Sequence, residues 1–422
     1  MILAGTLLLM GSFAIYGLKT PPIDALFLSA SAVCVTGFSS VEDIAALPMP
    51  SQIILLVLVQ VGGIGIMGAA TVLALMTRQG VGLRQRLFIA TEFGVDSPMN
   101  VLGVLKLVFA YTFVFETTGA CLLFLKFAEM GLSPGMAIYY SVFHAVSAFC
   151  SGGFSLYPDS LDRFSGTILL PGTVMILMIV GGIGFPVLNE LRDRKMGRIK
   201  FLSPYAKIVL TSTAAFTIIG AILYTAFEWN GAFAGMAPWA KAWNGLFVSL
   251  SARGGGFHTV DYHMWSAEGL MTTIFFMFIG GAPFSTAGGL KITTFAVLLL
   301  AAVSEIRQEE DVVAYGRKIP YSTVRRALAI AFIYILTLFV AAVAISKLET
   351  LPFDEIVFDV ISALGTSGLS SGITPFLTDA GKIVIVLLMF WGRVGILTFS
   401  YSLIGRERSE NVRFPETNIP IG

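Results

Sequence analysis

The chain has 422 residues, 56% of them AVILMFWYC and only 13% Asp, Glu, Lys or Arg, against roughly 25% charged residues in soluble domains, so it reads as an integral membrane protein. The 44 glycines and 34 phenylalanines suit closely packed helices, and disordered or collagen-like chains do not carry so much apolar content. With 27 Lys plus Arg against 26 Asp plus Glu the net charge is +1, which leaves no field to hold a polyanion and excludes nucleic acid as a partner.

The run 1–18 has no Lys or Arg before it and no small-residue cleavage site, so it reads as a first membrane helix rather than a signal peptide. A bilayer core takes about 20 apolar residues per helix. Eight stretches approach or exceed that, near 1–18, 51–77, 101–127, 167–190, 207–228, 270–303, 327–346 and 381–404. Shorter apolar segments near 22–36, 135–151, 239–253 and 353–366 alternate with them and are too short to span, which predicts re-entrant helices.

These pieces repeat. Ser31-Ala32-Val33-Cys34-Val35-Thr36-Gly37-Phe38-Ser39 aligns without gaps to the nine residues from Ser147 to Ser155 and from Ser362 to Ser370. A weaker copy runs from Leu250 to His258, with its serine one place out of register at Ser251. The aligned glycines Gly37, Gly153, Gly256 and Gly368 recur at intervals of 116, 103 and 112 residues. A proline opens each short helix (Pro22, Pro134, Pro238, Pro352), where its missing N–H costs nothing. A glycine segment follows in each next helix, beginning at Gly62, Gly181, Gly280 and Gly392. The chain therefore divides into four units, 1–78, 79–200, 201–312 and 313–422, the last ending in a tail. The fold class is an all-α polytopic membrane protein of eight transmembrane helices and four helix–pore-loop–helix repeats around a pseudo-fourfold pore.

Sixteen of the 27 basic residues fall in the linkers between units and in the tail: Arg78, Arg84, Arg86; Arg192, Arg194, Lys195, Arg198, Lys200; Arg307, Arg317, Lys318, Arg325, Arg326; and Arg406, Arg408, Arg413. Positive-inside bias makes that side, and both termini, cytoplasmic. The glycine segments then open outward. Irregular backbone at membrane depth persists only where it is buried in protein or lines a water-filled path. Glycine admits positive φ, so carbonyls can turn inward and replace a cation's hydration shell, with the short helices aiming their negative C-terminal ends at the axis. This predicts a cation selectivity filter within one chain. Gly280, Gly281, Pro283, Gly288 and Gly289 should break the sixth helix near its middle, with Ser285 and Thr286 satisfying freed backbone groups. On the residues alone a transport-site break and a packed kink are equally good readings. Arg393, an intramembrane cation, is a functional candidate by type.

The repeated Ser-Ala-x-x-x-x-Gly-Phe/Leu-Ser, the run from Gly280 to Lys291, and Gly392-Arg393-Val394-Gly395 resemble the Trk/Ktr/HKT superfamily of potassium transport proteins over essentially the whole chain. Eight spans rather than ten make the chain most similar to membrane subunits of bacterial Ktr systems. The resemblance implies a multi-pass protein of the bacterial cytoplasmic membrane, embedded in the lipid bilayer as a homodimer with one path per subunit, on a cytoplasmic nucleotide-binding ring of RCK regulatory subunits. It implies a filter of Val35-Thr36-Gly37, Ser151-Gly152-Gly153, Gly254-Gly255-Gly256 and Thr366-Ser367-Gly368. It implies a gate in the loop that contains Gly281, Pro283, Ser285, Thr286, Gly288 and Gly289, restrained by Arg393. In this superfamily serine at the first filter glycine goes with sodium preference; all four positions here are glycine, which favours potassium as the transported ion and leaves sodium coupling open. No organic cofactor is implied. Obligatory sodium–potassium symport is the alternative within transport, and a membrane-embedded enzyme or assembly subunit the alternative outside it.

Other signals carry little. Cys34, Cys121 and Cys150 form no CxxC pair and read as packing residues, and three histidines (His144, His258, His263) leave little for acid–base chemistry. Gly63-Ile64-Gly65-Ile66-Met67-Gly68 matches GxGxxG but sits in a spanning stretch with no strand before it. Gly368-Leu369-Ser370-Ser371-Gly372 matches a nucleophile elbow, yet every histidine precedes it. His144 reads as a buried hydrogen-bonded residue, and Arg253, just before a filter triplet, as a brace pointing behind it. Glu116 is an intramembrane acid with either a pathway or a pairing role. Asp24, Asp354 and Asp359 could draw cations into an outer vestibule or serve as caps.

Overall fold

Proline and glycine set the element boundaries. In a computed structural model, which describes residues 1–41, 43–65 and 101–395, the helices in chain order are α1 (Ile2–Ile15), α2 (Pro22–Val33), α3 (Met49–Ile64), α4 (Val101–Glu129), α5 (Pro134–Phe149), α6 (Leu169–Ile183) and α7 (Phe185–Lys195). After them come α8 (Pro204–Phe227), α9 (Pro238–Ser251), α10 (Ala267–Phe278), α11 (Ile292–Ile306), a two-stranded hairpin of β1 (Val313–Ala314) and β2 (Arg317–Lys318), α12 (Tyr321–Leu348), α13 (Phe353–Gly365) and α14 (Asp379–Val394). Pro22, Pro134 and Pro238 are the first residues of α2, α5 and α9, and Pro352 is the N-cap of α13.

Each of the four short helices α2, α5, α9 and α13 packs along the helix before it, α1, α4, α8 and α12. In two of these hairpins a carboxylate at the end of the long helix caps the next one. Glu228, the C-cap of α8, accepts from the N–H (3.0 Å) and hydroxyl (2.6 Å) of Ser266 at the start of α10. Glu349, the C-cap of α12, accepts from the N–H (3.0 Å) and hydroxyl (2.7 Å) of Thr378 at the start of α14. A buried acid is thereby matched to two donors that would otherwise be orphans.

Among the described residues α4 over Leu105–Glu129, α8 and α12 are each long and apolar enough to cross a bilayer, while α1, α3, α10 and α11 are shorter apolar helices. The stretch 167–190, read from the sequence as one span, is broken: α6 and α7 meet at Gly184 at an angle of 98°. The reason is conformational, since Gly184 has φ +93°, a region costly for other residues. Gly65 ends α3 with φ +99° and Gly395 ends α14 with φ +89°. The stretches 51–77 and 381–404 can be followed only to those glycines; their continuations, Gly68, the boundary between residues 78 and 79, the basic residues from Arg78 to Arg86 and the tail with Arg406, Arg408 and Arg413 lie outside the described residues. The stretch 270–303 is two helices, α10 and α11, joined by a folded loop. Cys34 and Cys150 are buried as packing residues, whereas Cys121 is exposed on α4, because the outer face of a bilayer helix need not be covered by protein.

Candidate functional site

The four segments that leave α2, α5, α9 and α13 meet one another. A methyl group added to Gly37 would lie 2.7 Å from the Gly152 carbonyl oxygen and 3.1 Å from the Gly153 Cα. One on Gly153 would lie 2.7 Å from the Gly256 Cα, one on Gly256 3.2 Å from the Ser367 carbonyl oxygen, and one on Gly368 would strike the Thr36 carbonyl. The order 37, 153, 256, 368 and back to 36 closes a ring of backbone. Of the sequence-derived triplets, Thr36, Gly37, Gly152, Gly153, Gly256, Ser367 and Gly368 make these contacts. The first and third of each triplet have positive φ: Val35 (55°) and Gly37 (94°), Ser151 (61°) and Gly153 (67°), Gly254 (115°) and Gly256 (72°), Thr366 (48°) and Gly368 (81°). Left-handed φ at the non-glycine residues Val35, Ser151 and Thr366 costs energy that surrounding contacts must offset.

Those contacts run backward, to the short helices. The middle residues Thr36, Gly152 and Ser367 donate their N–H to the carbonyls of Ser31 (2.8 Å), Ser147 (2.6 Å) and Ser362 (3.0 Å). In the third copy Gly255 donates to Ser251 (2.7 Å), four residues back instead of five. The serine that looks misplaced in the sequence therefore does the same work, through a hydrogen bond that spans one residue fewer. Serine hydroxyls finish the job: Ser147 donates to the Phe154 carbonyl (2.8 Å), Ser251 to the Phe257 carbonyl, and Ser31 accepts from the Gly37 N–H (3.1 Å). The middle N–H groups are thereby satisfied by the short helices. Arg253 is buried and points away from the ring, to the Thr217 hydroxyl on α8 (2.7 Å).

On one side the ring opens into a cavity of about 510 Å³ whose floor includes Gly37, Gly153, Gly256 and Gly368. Its acids are Asp159, Asp162 and Asp261. The sequence candidates for this role lie elsewhere. Asp24 is paired with Lys382 at 2.7 Å, Asp354 is exposed at the start of α13, and Asp359 is buried, accepting from Ser370, Ser371 and Thr374 at 2.8–3.1 Å. Asp24 and Asp359 are used up within the packed helices, whereas Asp159, Asp162 and Asp261 come from connections that line the cavity. In the cavity wall Arg163 forks onto Asp159 (2.6–3.0 Å), and this guanidinium holds the Asp159 carboxyl below the usual carboxylate range. Asp159 is then ionised at neutral pH, and only acid below its lowered value protonates it. His258 bonds Asp162 through Nδ1 at 2.7 Å. His144 is buried between the Tyr140 carbonyl (2.8 Å) and the Ser155 hydroxyl (3.2 Å).

On the other side of the ring lies the loop between α10 and α11. Its ends are zipped by Gly280 N–H to the Leu290 carbonyl (2.8 Å) and Ile292 N–H to the Gly281 carbonyl (3.1 Å). Gly288 packs on the Thr366 side chain, Gly289 on the Gly365 backbone, and Ala287 lies 3.1 Å from where a methyl on Gly254 would sit. Thr286 is bonded to Ser151 (3.0 Å) and to the Phe149 carbonyl (3.1 Å) through its hydroxyl. Ser285 donates to the Ala282 carbonyl (2.6 Å), and the Pro283 carbonyl accepts from the Tyr205 hydroxyl (3.0 Å). Arg393, from α14, donates to the carbonyls of Thr286 and of Gly62. Lys291 donates to the Ala287 carbonyl (2.8 Å), a residue the sequence reading passed over. Glu116 lies 3.7 Å from the Cys150 thiol, directly behind the second segment.

A sequence profile described as TrkH, cation transport protein, matches residues 3–410. The chain is 34% identical over 403 residues to Ktr system potassium uptake protein B of Bacillus subtilis, covering 95% of this chain and 89% of that protein. It is 34% identical over 429 residues to potassium/sodium uptake protein NtpJ of Enterococcus hirae, covering 100% and 94%. Among solved structures, the potassium transporter TrkH from Vibrio parahaemolyticus matches with a TM-score of 0.76 at 18% identity, over 95% of this chain and 83% of that one; at that identity the likeness concerns the fold.

Proposed function

The chain belongs to the TrkH family of cation transport proteins, and on that premise we propose that it carries potassium into a bacterial cell through the ring formed by Val35–Gly37, Ser151–Gly153, Gly254–Gly256 and Thr366–Gly368. The single observation that carries this reading is the ring of four glycine backbones beneath a 510 Å³ cavity. Residues that alternate between positive and negative φ turn successive carbonyls to the same side of the strand, so four such strands offer stacked oxygens to a dehydrated cation. The four units 1–78, 79–200, 201–312 and 313–422, with eight spans about a pseudo-fourfold axis, supply one strand each. Basic linkers orient the cavity outward and both termini inward.

The loop from Gly280 to Leu290 is the gate on the inner side. Gly281, Pro283, Ser285, Thr286, Gly288 and Gly289 shape it, and Arg393 fastens it with a positive charge that opposes cations there. Opening requires the Arg393 bonds to Thr286 and Gly62 to be exchanged for water. A homodimer resting on an RCK-type nucleotide-binding ring completes the assembly in this reading, the ring acting on the linkers to move the loop. Sodium coupling is the second reading, favoured by the likeness to a potassium/sodium uptake protein.

The test is rubidium or potassium uptake into proteoliposomes holding the purified chain, with sodium as competitor and with sodium omitted. Saturable, potassium-preferring flux is expected. Flux abolished by omitting sodium selects symport, and flux absent even with an RCK-type subunit and nucleotide overturns the transport reading.

A further inference from the structure

After Gly184 turns the chain by 98°, the 11 residues of α7, about 16 Å of helix, run across the direction of the span before them. The inner side of α7 is fixed by buried Phe185 and Val187. Its far end and the turn beyond it are exposed and carry Arg194, Lys195, Arg198 and Lys200. Two large apolar residues are interleaved with these cations, Met196 at 61% exposure and Phe201 at 73%, and the Lys200 ammonium lies 5.6 Å from the centre of the Phe201 ring. Nearby acids do not balance the charge. Asp193 is shared by Arg192 (3.3 Å) and Arg198 (3.2 Å), and Glu190 is used by the N–H and hydroxyl of Ser203. Among the described residues Arg194, Lys195 and Lys200 pair with no carboxylate.

Exposed apolar side chains interleaved with unpaired cations, just before the start of α8, which is long and apolar enough to span, match the boundary between headgroups and acyl chains rather than open water. We propose that the segment 194–201 is a foot that binds anionic phospholipid headgroups of the cytoplasmic leaflet, with Met196 and Phe201 entering the acyl region. The foot is mechanically joined to the gate loop. The first residue of α7, Phe185, donates its N–H to the Phe284 carbonyl (3.1 Å), and Tyr205, four residues past the foot, holds the Pro283 carbonyl (3.0 Å). Headgroups that fix the foot therefore fix two consecutive carbonyls of the loop. Lipid capture is independent of what the chain transports; only its effect on flux rests on the transport reading.

The experiment equilibrates the full-length protein with mixed micelles of phosphatidylglycerol and phosphatidylcholine and counts retained lipids by native mass spectrometry. It then measures rubidium flux in vesicles of phosphatidylcholine with and without phosphatidylglycerol. Preferential retention of phosphatidylglycerol is expected. The variant R194Q/K195Q/K200Q, folded by the criterion of unchanged thermal unfolding, should weaken that preference by on the order of a hundredfold, about fivefold per cation, and remove the lipid dependence of flux. M196S/F201S should lower retention of both lipids. Equal retention of the two lipids, or a preference untouched by the triple variant, overturns the proposal. So does loss of RCK-type subunit binding in the triple variant with its lipid preference intact, which would make the patch a protein-docking surface. A preference for phosphatidylglycerol with no flux in any vesicle, even with an RCK-type subunit and nucleotide added, leaves the foot standing and removes the transport reading instead.

Discussion

Gly37 is held at φ +94°, and any side chain there would press on the Gly152 carbonyl oxygen, 2.7 Å from its first carbon. Gly37→Ser thus strains its own backbone and shifts a carbonyl of the neighbouring strand, at a cost of about 1–3 kcal/mol. With the Gly152 carbonyl displaced, the potassium-to-sodium ratio should fall by about tenfold, the effect of roughly 1.4 kcal/mol of lost preference, read as competition in rubidium uptake. Unchanged selectivity would mean that the filter register is wrong. The glycine was legible because the repeat aligns four of them, each 15 to 19 residues after a proline and five or six after a serine. The cavity acids Asp159, Asp162 and Asp261 were not, since they come from two connections about 100 residues apart in the sequence and nothing local marks them as neighbours. Helix-borne acids such as Asp359 were the more conspicuous and turned out to be spent on Ser370, Ser371 and Thr374.

At the scale of elements, one pattern was half read. Gly62 and Gly65, Gly181 and Gly184, and Gly392 and Gly395 share a Gly-x-x-Gly spacing, and in each pair the second glycine ends a helix at positive φ. Only the sixth stretch was expected to break, because four glycines and a proline are a louder signal than a spacing of three. The loop there gains its order from outside: hydrogen bonds from Arg393 on α14, Tyr205 on α8 and Ser151 after α5. These are tertiary facts that periodicity does not encode. Arg393→Gln removes the charge and the forked donor that reaches both Thr286 and Gly62. The loop should open more often, and flux without a cytoplasmic partner should rise by about tenfold, the effect of roughly 1.4 kcal/mol on the closed state. Potassium preference should be kept, because the ring residues are untouched. A variant that conducts no better, or that conducts sodium and potassium alike, would show that the loop does not gate or that it also shapes the filter.

For the molecule as a whole, closing the four glycine segments into a ring requires the first to meet the last. The join is made by α2 and α14, where Lys382 donates to Asp24 at 2.7 Å across 358 residues of sequence, both side chains being about nine-tenths buried. Such a pair is a weak source of net stability but a strong constraint, since either charge left alone is buried without a partner. Asp24→Asn or Lys382→Met should each cost about 3–5 kcal/mol, whereas Asp24→Leu with Lys382→Met should cost much less. Denaturant or thermal unfolding in detergent measures all three. Because the strand after α2 also contacts Gly368 at the Thr36 carbonyl, loosening this join should disturb the ring where the chain's two ends meet. The single variants are therefore expected to lose potassium preference together with stability, while Lys126→Met, at an exposed pair within α4, should change neither. Additive single and double effects would mean that the ring is closed by helix packing alone and that the ion pair is incidental to it.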